Sequence, residues 1–169
     1  TSNQLINVLT PSKEYVSDLK AITTESRQLA GQWLNEPGRN DVKFKLRFKE
    51  IIEKDIPEKL KKLEIISKEW TDEEDIEQFN FLVGQYEELT KKLTELMELL
   101  PDISSYDDPF KMFTARLLID QNGEASEILT DLNKNLNFLQ TSLDSKEESA
   151  LSLVRSSSET ARSKFQSLE

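Results

Sequence analysis

Apolar residues recur every three or four positions along most of this chain, which is the spacing of one face of an α-helix. The most regular row lies between a capping box at residues 71–74 and Pro101. Its members alternate steps of three and four: Phe79, Leu82, Tyr86, Leu89, Leu93, Leu96 and Leu100. That period is typical of coiled-coil-like packing.

A second row runs through the last part of the chain, where neither proline nor glycine interrupts residues 124–168. Its large members share the same register: Leu129, Leu132, Leu136, Leu139 and Leu143. Beyond Leu143 the register continues through smaller and more polar residues. The pattern predicts one very long helix whose final part has a weaker apolar face.

Prolines and glycines divide the remaining sequence into shorter elements. The predicted helices span residues 11–35, 41–55, 57–70, 72–100, 109–120 and 124–168. Thr10 is expected to cap the first helix, with Pro11 in its first turn. The apolar residues before and after Pro57 point in different directions on a straight helix, so we expect a kink or a break there. The short helix 109–120 is predicted to have an apolar face formed by Phe110, Phe113, Leu117 and Leu118.

These elements predict an all-α fold. We expect a single domain over residues 1–169, an elongated antiparallel bundle of three to four long amphipathic helices with coiled-coil-like seams. Only four glycines and five prolines occur, which argues against a sheet protein with its many turns.

Composition narrows the chemistry, since the chain contains neither histidine nor cysteine. It therefore lacks the commonest general base and the commonest metal ligands. The acidic turn at residues 120–124 has glycine in its fourth position, whereas a calcium-binding EF-hand loop needs it in the sixth. We expect no catalytic residues, no metal and no cofactor, and hence not an enzyme.

Charge is distributed unevenly within the formal net charge of −10. Residues 39–68 are net positive and residues 69–109 strongly negative. One interpretation is that these neighbouring segments neutralise each other. The alternative is that Lys43, Arg47 and Lys54 form a basic flank that meets an acidic protein surface or anionic lipid headgroups. Nucleic acid is not expected, because the overall negative field repels phosphate.

The end of the long last helix is the other predicted contact surface. It has no obvious internal neighbour, because the helix 72–100 is much shorter. Residues Val154, Ala161, Phe165 and Leu168 are therefore predicted to pack on a second copy, giving a homodimer, or on another protein partner.

The resulting functional expectation is an acidic, non-enzymatic helical scaffold or interaction module, an adaptor or tether that binds protein partners or self-associates through helix faces. One alternative is an arm of a membrane-trafficking or cytoskeletal adaptor complex that contacts acidic or membrane surfaces. Another is a component of a bacterial helical toxin or effector. We expect no transmembrane segment, although peripheral membrane contact fits the pattern. A cytoplasmic location is expected, with a removed signal peptide left open as the alternative.

Overall fold

Every regular element of the protein is helical in the computed structural model, which describes residues 1–167. The elements are α1 (Ser2–Asn35), α2 (Lys43–Glu50), a π-helical turn (Ile51–Asp55), α3 (Ile56–Ser67), α4 (Glu73–Leu99), a 3₁₀ turn (Ser104–Asp107), α5 (Pro109–Ile119) and α6 (Glu124–Ser167). The all-α class is confirmed, and helices α1, α3, α4 and α6 pack together around one core.

The two apolar rows predicted from the sequence form the centre of that core. All seven members of the α4 row and all five leucines of the α6 row are buried. Fully burying a leucine stabilises a fold by about 1.5–3 kcal/mol, so these rows are a major source of stability. The helical period therefore identified the interior faces of both helices correctly.

Helix α6 lies between α1 and α4 and contacts both. On one side Lys20 Nζ donates to the Gln140 amide oxygen at 2.8 Å, and Arg27 donates to Thr130 at 3.0 Å. On the other side the Asn135 amide donates to Gln85 at 2.9 Å. Residue numbers rise along α1 while they fall along α6, so these two helices run in opposite directions.

The predicted start of the first helix is wrong, because α1 begins at Ser2 and runs through Pro11. Thr1 is the N-cap, and the Thr10 hydroxyl instead donates to Glu147 of α6 at 2.6 Å. Proline in a helix leaves the carbonyl four residues earlier without its donor. That residue is Asn7, which is exposed and open to water. Packing of the first turns against α6 therefore offsets the cost of Pro11.

Near Pro57, where a kink or a break was expected, the helical chain is not broken but contains an irregular turn. The π-helical turn immediately precedes α3, and Pro57 occupies the first turn of α3. A π turn holds more residues than an α turn and so rotates the face that follows. Phe48 and Ile51 before the proline and Leu63 after it are consequently all buried. This run ends at Ser67, three residues earlier than predicted.

Both tryptophans close the interior at helix ends. Trp33 is fully buried, and its indole N–H donates to the Leu100 carbonyl at 3.0 Å. Trp70 donates to the Ser12 hydroxyl at 3.0 Å. These bonds satisfy the one polar group of each ring, so both side chains belong to the core.

Replacing Leu93 by alanine tests the α4 row. Leu93 is fully buried, so Leu93→Ala should lower the free energy of unfolding by about 2–5 kcal/mol through lost burial and a new cavity. Leu46→Ala is the matched control, because Leu46 is 52% exposed and should change the stability by less than about 0.5 kcal/mol. Urea denaturation followed by circular dichroism measures both, and equal small losses would contradict the assigned core.

Candidate functional site

The predicted basic flank does not present three free cations. Arg47 donates two hydrogen bonds to the Glu25 carboxylate, at 2.9 and 2.8 Å, and further bonds to Glu50 and Asp55, each at 2.7 Å. The guanidinium lowers the pKa of Glu25. Lys43 and Lys54 are exposed. Arg47 thus joins α1 to α2 and the π turn, whereas a partner-binding role for the two lysines stays a prediction.

The prediction that residues 39–68 and residues 69–109 neutralise each other is wrong as far as direct ion pairs are concerned. The basic segment instead pairs with α1, through Arg47 to Glu25 and Lys59 to Asp18. In the part of the chain that the structure describes, no ion pair joins α3 to α4. The glutamates on the side of α4 that faces α3 are therefore not neutralised by α3.

A groove of about 780 Å³ separates the two helices on that side. Its apolar lining comes from the π turn, α3 and α4: Ile52, Ile56, Pro57, Leu60, Val83 and Tyr86. Its α4 edge carries four carboxylates: Glu87, Glu88, Glu95 and Glu98. A further 340 Å³ continues the same groove past Leu60 and Val83 to Phe79. We call this continuous feature the α3–α4 groove.

Helix α5 exposes most of the apolar face that the sequence pattern predicts for it. Phe110 is 75% exposed, Phe113 60% and Leu117 54%, whereas Leu118 is buried. Asp108 caps the helix by accepting bonds from the backbone N–H groups of residues 110 and 111. We call the three exposed side chains the α5 apolar face.

The end of α6 extends beyond the packed part of the protein, as predicted. Ala150 is the last buried residue of α6, Val154 is half-buried, and Ala161 and Phe165 are exposed, Phe165 by 72%. Leu168 lies outside the described residues. Because α1 starts earlier than expected, it accompanies α6 further than the sequence pattern implied. We call residues 151–167 the arm.

Lys45 is a buried cation that sequence reasoning missed. Its side chain is fully buried, and Nζ donates to the Gly38 carbonyl at 2.9 Å and to the Tyr106 hydroxyl at 3.0 Å. The ammonium lies 4.5 Å from the centre of the Trp33 ring, a cation–π contact. Burial lowers the pKa of Lys45 and raises the pKa of Tyr106 to about 12.

Lys45 connects three segments of the chain near the C-terminal end of α1. The Tyr106 hydroxyl accepts from Lys45 and donates to the Trp33 carbonyl, so the group joins α1, α2 and the 3₁₀ turn. Because lysine is charged, it normally lies on the protein surface, and only the neighbouring aromatic residues could have indicated that Lys45 is buried. Since Lys45 is sealed from solvent, the arrangement is a structural clamp and offers no reactive amine.

Lys146 holds the opposite end of the bundle. Its ammonium lies 2.8 Å from Asp72 and 2.9 Å from Asp75, and it donates to the Ser142 hydroxyl at 2.7 Å. Asp75 is buried and also accepts from Ser142 at 2.7 Å. Burial acts to lower the pKa of Lys146, but the two carboxylates outweigh it and raise the pKa overall. The cluster fixes the start of α4 against α6.

Other kinds of site find no support in the described residues. Over residues 1–167, no three potential ligand side chains are grouped so that they could hold a metal ion. None of the helices in that range is both long and apolar enough to cross a membrane. Comparison of the chain with protein-family models, with curated proteins and with solved structures found no match. The groove, the α5 apolar face and the arm are therefore the candidate functional surfaces.

The contact between Glu147 and Lys13 should make stability pH-dependent. Hydrogen bonds from Lys13, at 2.8 Å, and Thr10 lower the pKa of Glu147. A carboxyl group whose pKa is lower in the folded state stabilises the fold above its unfolded-state pKa, and this contribution is lost as the pH falls through the folded-state pKa.

Glu147→Gln should therefore cost about 0.5 kcal/mol at pH 7, the size of a partly exposed ion pair. The difference between the two proteins should shrink below the ordinary pKa of glutamate and disappear once the pH has fallen through the lowered folded-state pKa of Glu147. Urea denaturation at a series of pH values measures this difference. Unfolding free energies that differ by the same amount at every pH would contradict the assigned ion pair.

Proposed function

We propose that this protein is a non-enzymatic helical scaffold that joins protein chains, and that two copies associate through the arm. The observation that carries the proposal is the arm itself, a helical segment with exposed Leu153 and Phe165 and little packing from its own chain. An isolated helix of this length is marginal in water, and serine is a mediocre helix former. Contact with a second chain would supply the missing packing.

The architecture we propose for this scaffold is an elongated antiparallel bundle with coiled-coil-like seams. The opposite directions of α1 and α6 support it, as do the ion pairs that join the start of α4 to Lys146 and Lys92 to Glu124, near the start of α6. The alternating steps of three and four in the α4 and α6 rows support the seams. A stiff bundle of this kind would hold bound chains at a fixed separation.

Substitution of Phe165 tests self-association. Light-scattering mass of the full chain should exceed the monomer mass of 19.5 kDa at high concentration, and Phe165→Ser should shift the protein towards the monomer. Phe138→Ser is the matched control, because Phe138 is 57% exposed on α6 and lies outside the groove and the arm. Neither substitution should change the thermal midpoint of the monomer. A wild-type protein that stays monomeric at every concentration would overturn the proposal.

Peripheral contact with a membrane surface is the second candidate, and the α5 apolar face favours it. Phe110, Phe113 and Leu117 protrude together, and the same helix carries Lys111 and Arg116. Exposed aromatic residues beside cations are the elements that amphipathic helices use at lipid interfaces. The net charge of −10 opposes adsorption to anionic lipid, so the apolar contribution would dominate.

Vesicle sedimentation tests this candidate. The protein should sediment with phosphatidylcholine vesicles, and Phe110→Ser with Phe113→Ser should reduce the bound fraction several-fold through lost apolar burial. The Phe138→Ser protein should sediment like the wild type. If the wild-type protein stays in the supernatant at every lipid concentration, the α5 apolar face does not bind membranes.

A further inference from the structure

We infer that the arm of one copy docks into the α3–α4 groove of a second copy. This inference rests on the proposed self-association and names the surface that receives the arm. The arm has an excess of positive charge, and the α4 edge of the groove has an excess of negative charge. The arm and the groove also match in the spacing of these charges, in their apolar surfaces and in length.

The charge of the arm is complementary to that of the groove. Within residues 151–167 the cations are Arg155, Arg162 and Lys164, and the one acid is Glu159. The α4 edge of the groove has four glutamates, and the lining lysines are Lys91 and Lys92 on α4 and Lys61 on α3. Lys92 pairs with Glu124 at 2.6 Å and lies 3.9 Å from Glu95, whose side chain is still 50% exposed. An approaching arm therefore meets an edge with excess negative charge.

The spacing of these charges also matches. Arg155 and Arg162 are seven residues apart on α6, and Glu88 and Glu95 are seven residues apart on α4. Seven residues span two helical turns, about 10.5 Å, so both cations and both carboxylates recur on the same side of their helices. Two helices side by side can form both pairs at once. All four side chains are exposed.

The apolar surfaces and the lengths are compatible. Val154, Ala161 and Phe165 follow one face of the arm, and the two arginines flank that face. The groove offers Leu60 and Val83, both half-buried, as its apolar floor. The arm is about 25 Å long, and the groove follows α4 from Phe79 to Glu98, about 29 Å. A helix placed in such a groove through an apolar face is a common mode of recognition.

The arm cannot reach the groove of its own chain. Helix α6 is continuous from Glu124 to Ser167, so the arm projects along the same axis past the start of α4. The ion pairs of Lys146 with Asp72 and Asp75 fix the start of α4 beside residue 146. Folding back would require a break in a helix that contains neither proline nor glycine. The occupant is therefore a second copy, which exchanges arms reciprocally or extends a chain of copies.

A charge-exchange experiment tests this docking. The groove variant is Glu88→Lys with Glu95→Lys, and the arm variant is Arg155→Glu with Arg162→Glu. Each should raise the dissociation constant of self-association about tenfold or more, because like charges then face each other across the interface. Sedimentation velocity over a concentration series measures this constant. A chain that carries all four substitutions should regain association, as should a mixture of the groove and arm variants.

The control variant is Glu14→Lys with Asp131→Lys, which changes the net charge as the groove variant does but at exposed positions of α1 and α6 outside the groove and the arm. It should associate like the wild type. Circular dichroism melts of all variants should coincide with that of the wild type at a concentration where each is monomeric, which separates lost docking from lost folding.

The outcomes distinguish this inference from the proposed function. If the arm variant and Phe165→Ser reduce association but the groove variant does not, the arm docks elsewhere, and only the groove is overturned. Failure of the fourfold variant to regain association would also overturn the pairing of arm and groove. A wild-type protein that is monomeric throughout would overturn both proposals.

Discussion

The fold depends on one shared surface, the row of leucines along α6. These leucines are all buried, and α1 and α4 cover them from two sides. Because α6 contributes to both contacts, this uninterrupted helix aligns its two neighbours. Polar contacts at the edges of these helices, such as Lys20 with Gln140 and Asn135 with Gln85, fix the position of one helix along the other. Apolar packing alone would allow a shift by one helical turn.

Much of this fold could be predicted from residue spacing. Helices α4 and α5 begin and end within one residue of their predicted bounds, and α6 begins at its predicted residue, because proline, glycine and capping residues mark these positions. The errors occurred where tertiary packing outweighs local preference. Pro11 is tolerated inside α1 because Leu9 and Ala150 pack into the common core and the freed carbonyl of Asn7 faces water.

The candidate sites were less predictable than the fold, for a physical reason. A helical period shows which residues share a face but not whether another element covers that face. Phe110 and Phe113 have the spacing of core residues, yet no element of the described chain covers them. Lys45 is the opposite case, a charged residue held inside by Trp33 and Tyr106. Both depend on how distant segments meet, which a single sequence does not specify.

The distribution of ion pairs leaves the boundary between α3 and α4 acidic. Arg47 and Lys59 pair with α1, and Lys146 pairs with Asp72 and Asp75, so none of these ion pairs crosses the boundary between α3 and α4. The glutamates at that boundary stay solvated, and a solvated carboxylate costs little to keep exposed. An apolar floor beside it does cost free energy, because it stays hydrated. A basic amphipathic helix relieves that cost and neutralises the edge in one step, which is why the arm suits the groove better than an apolar helix without cations would.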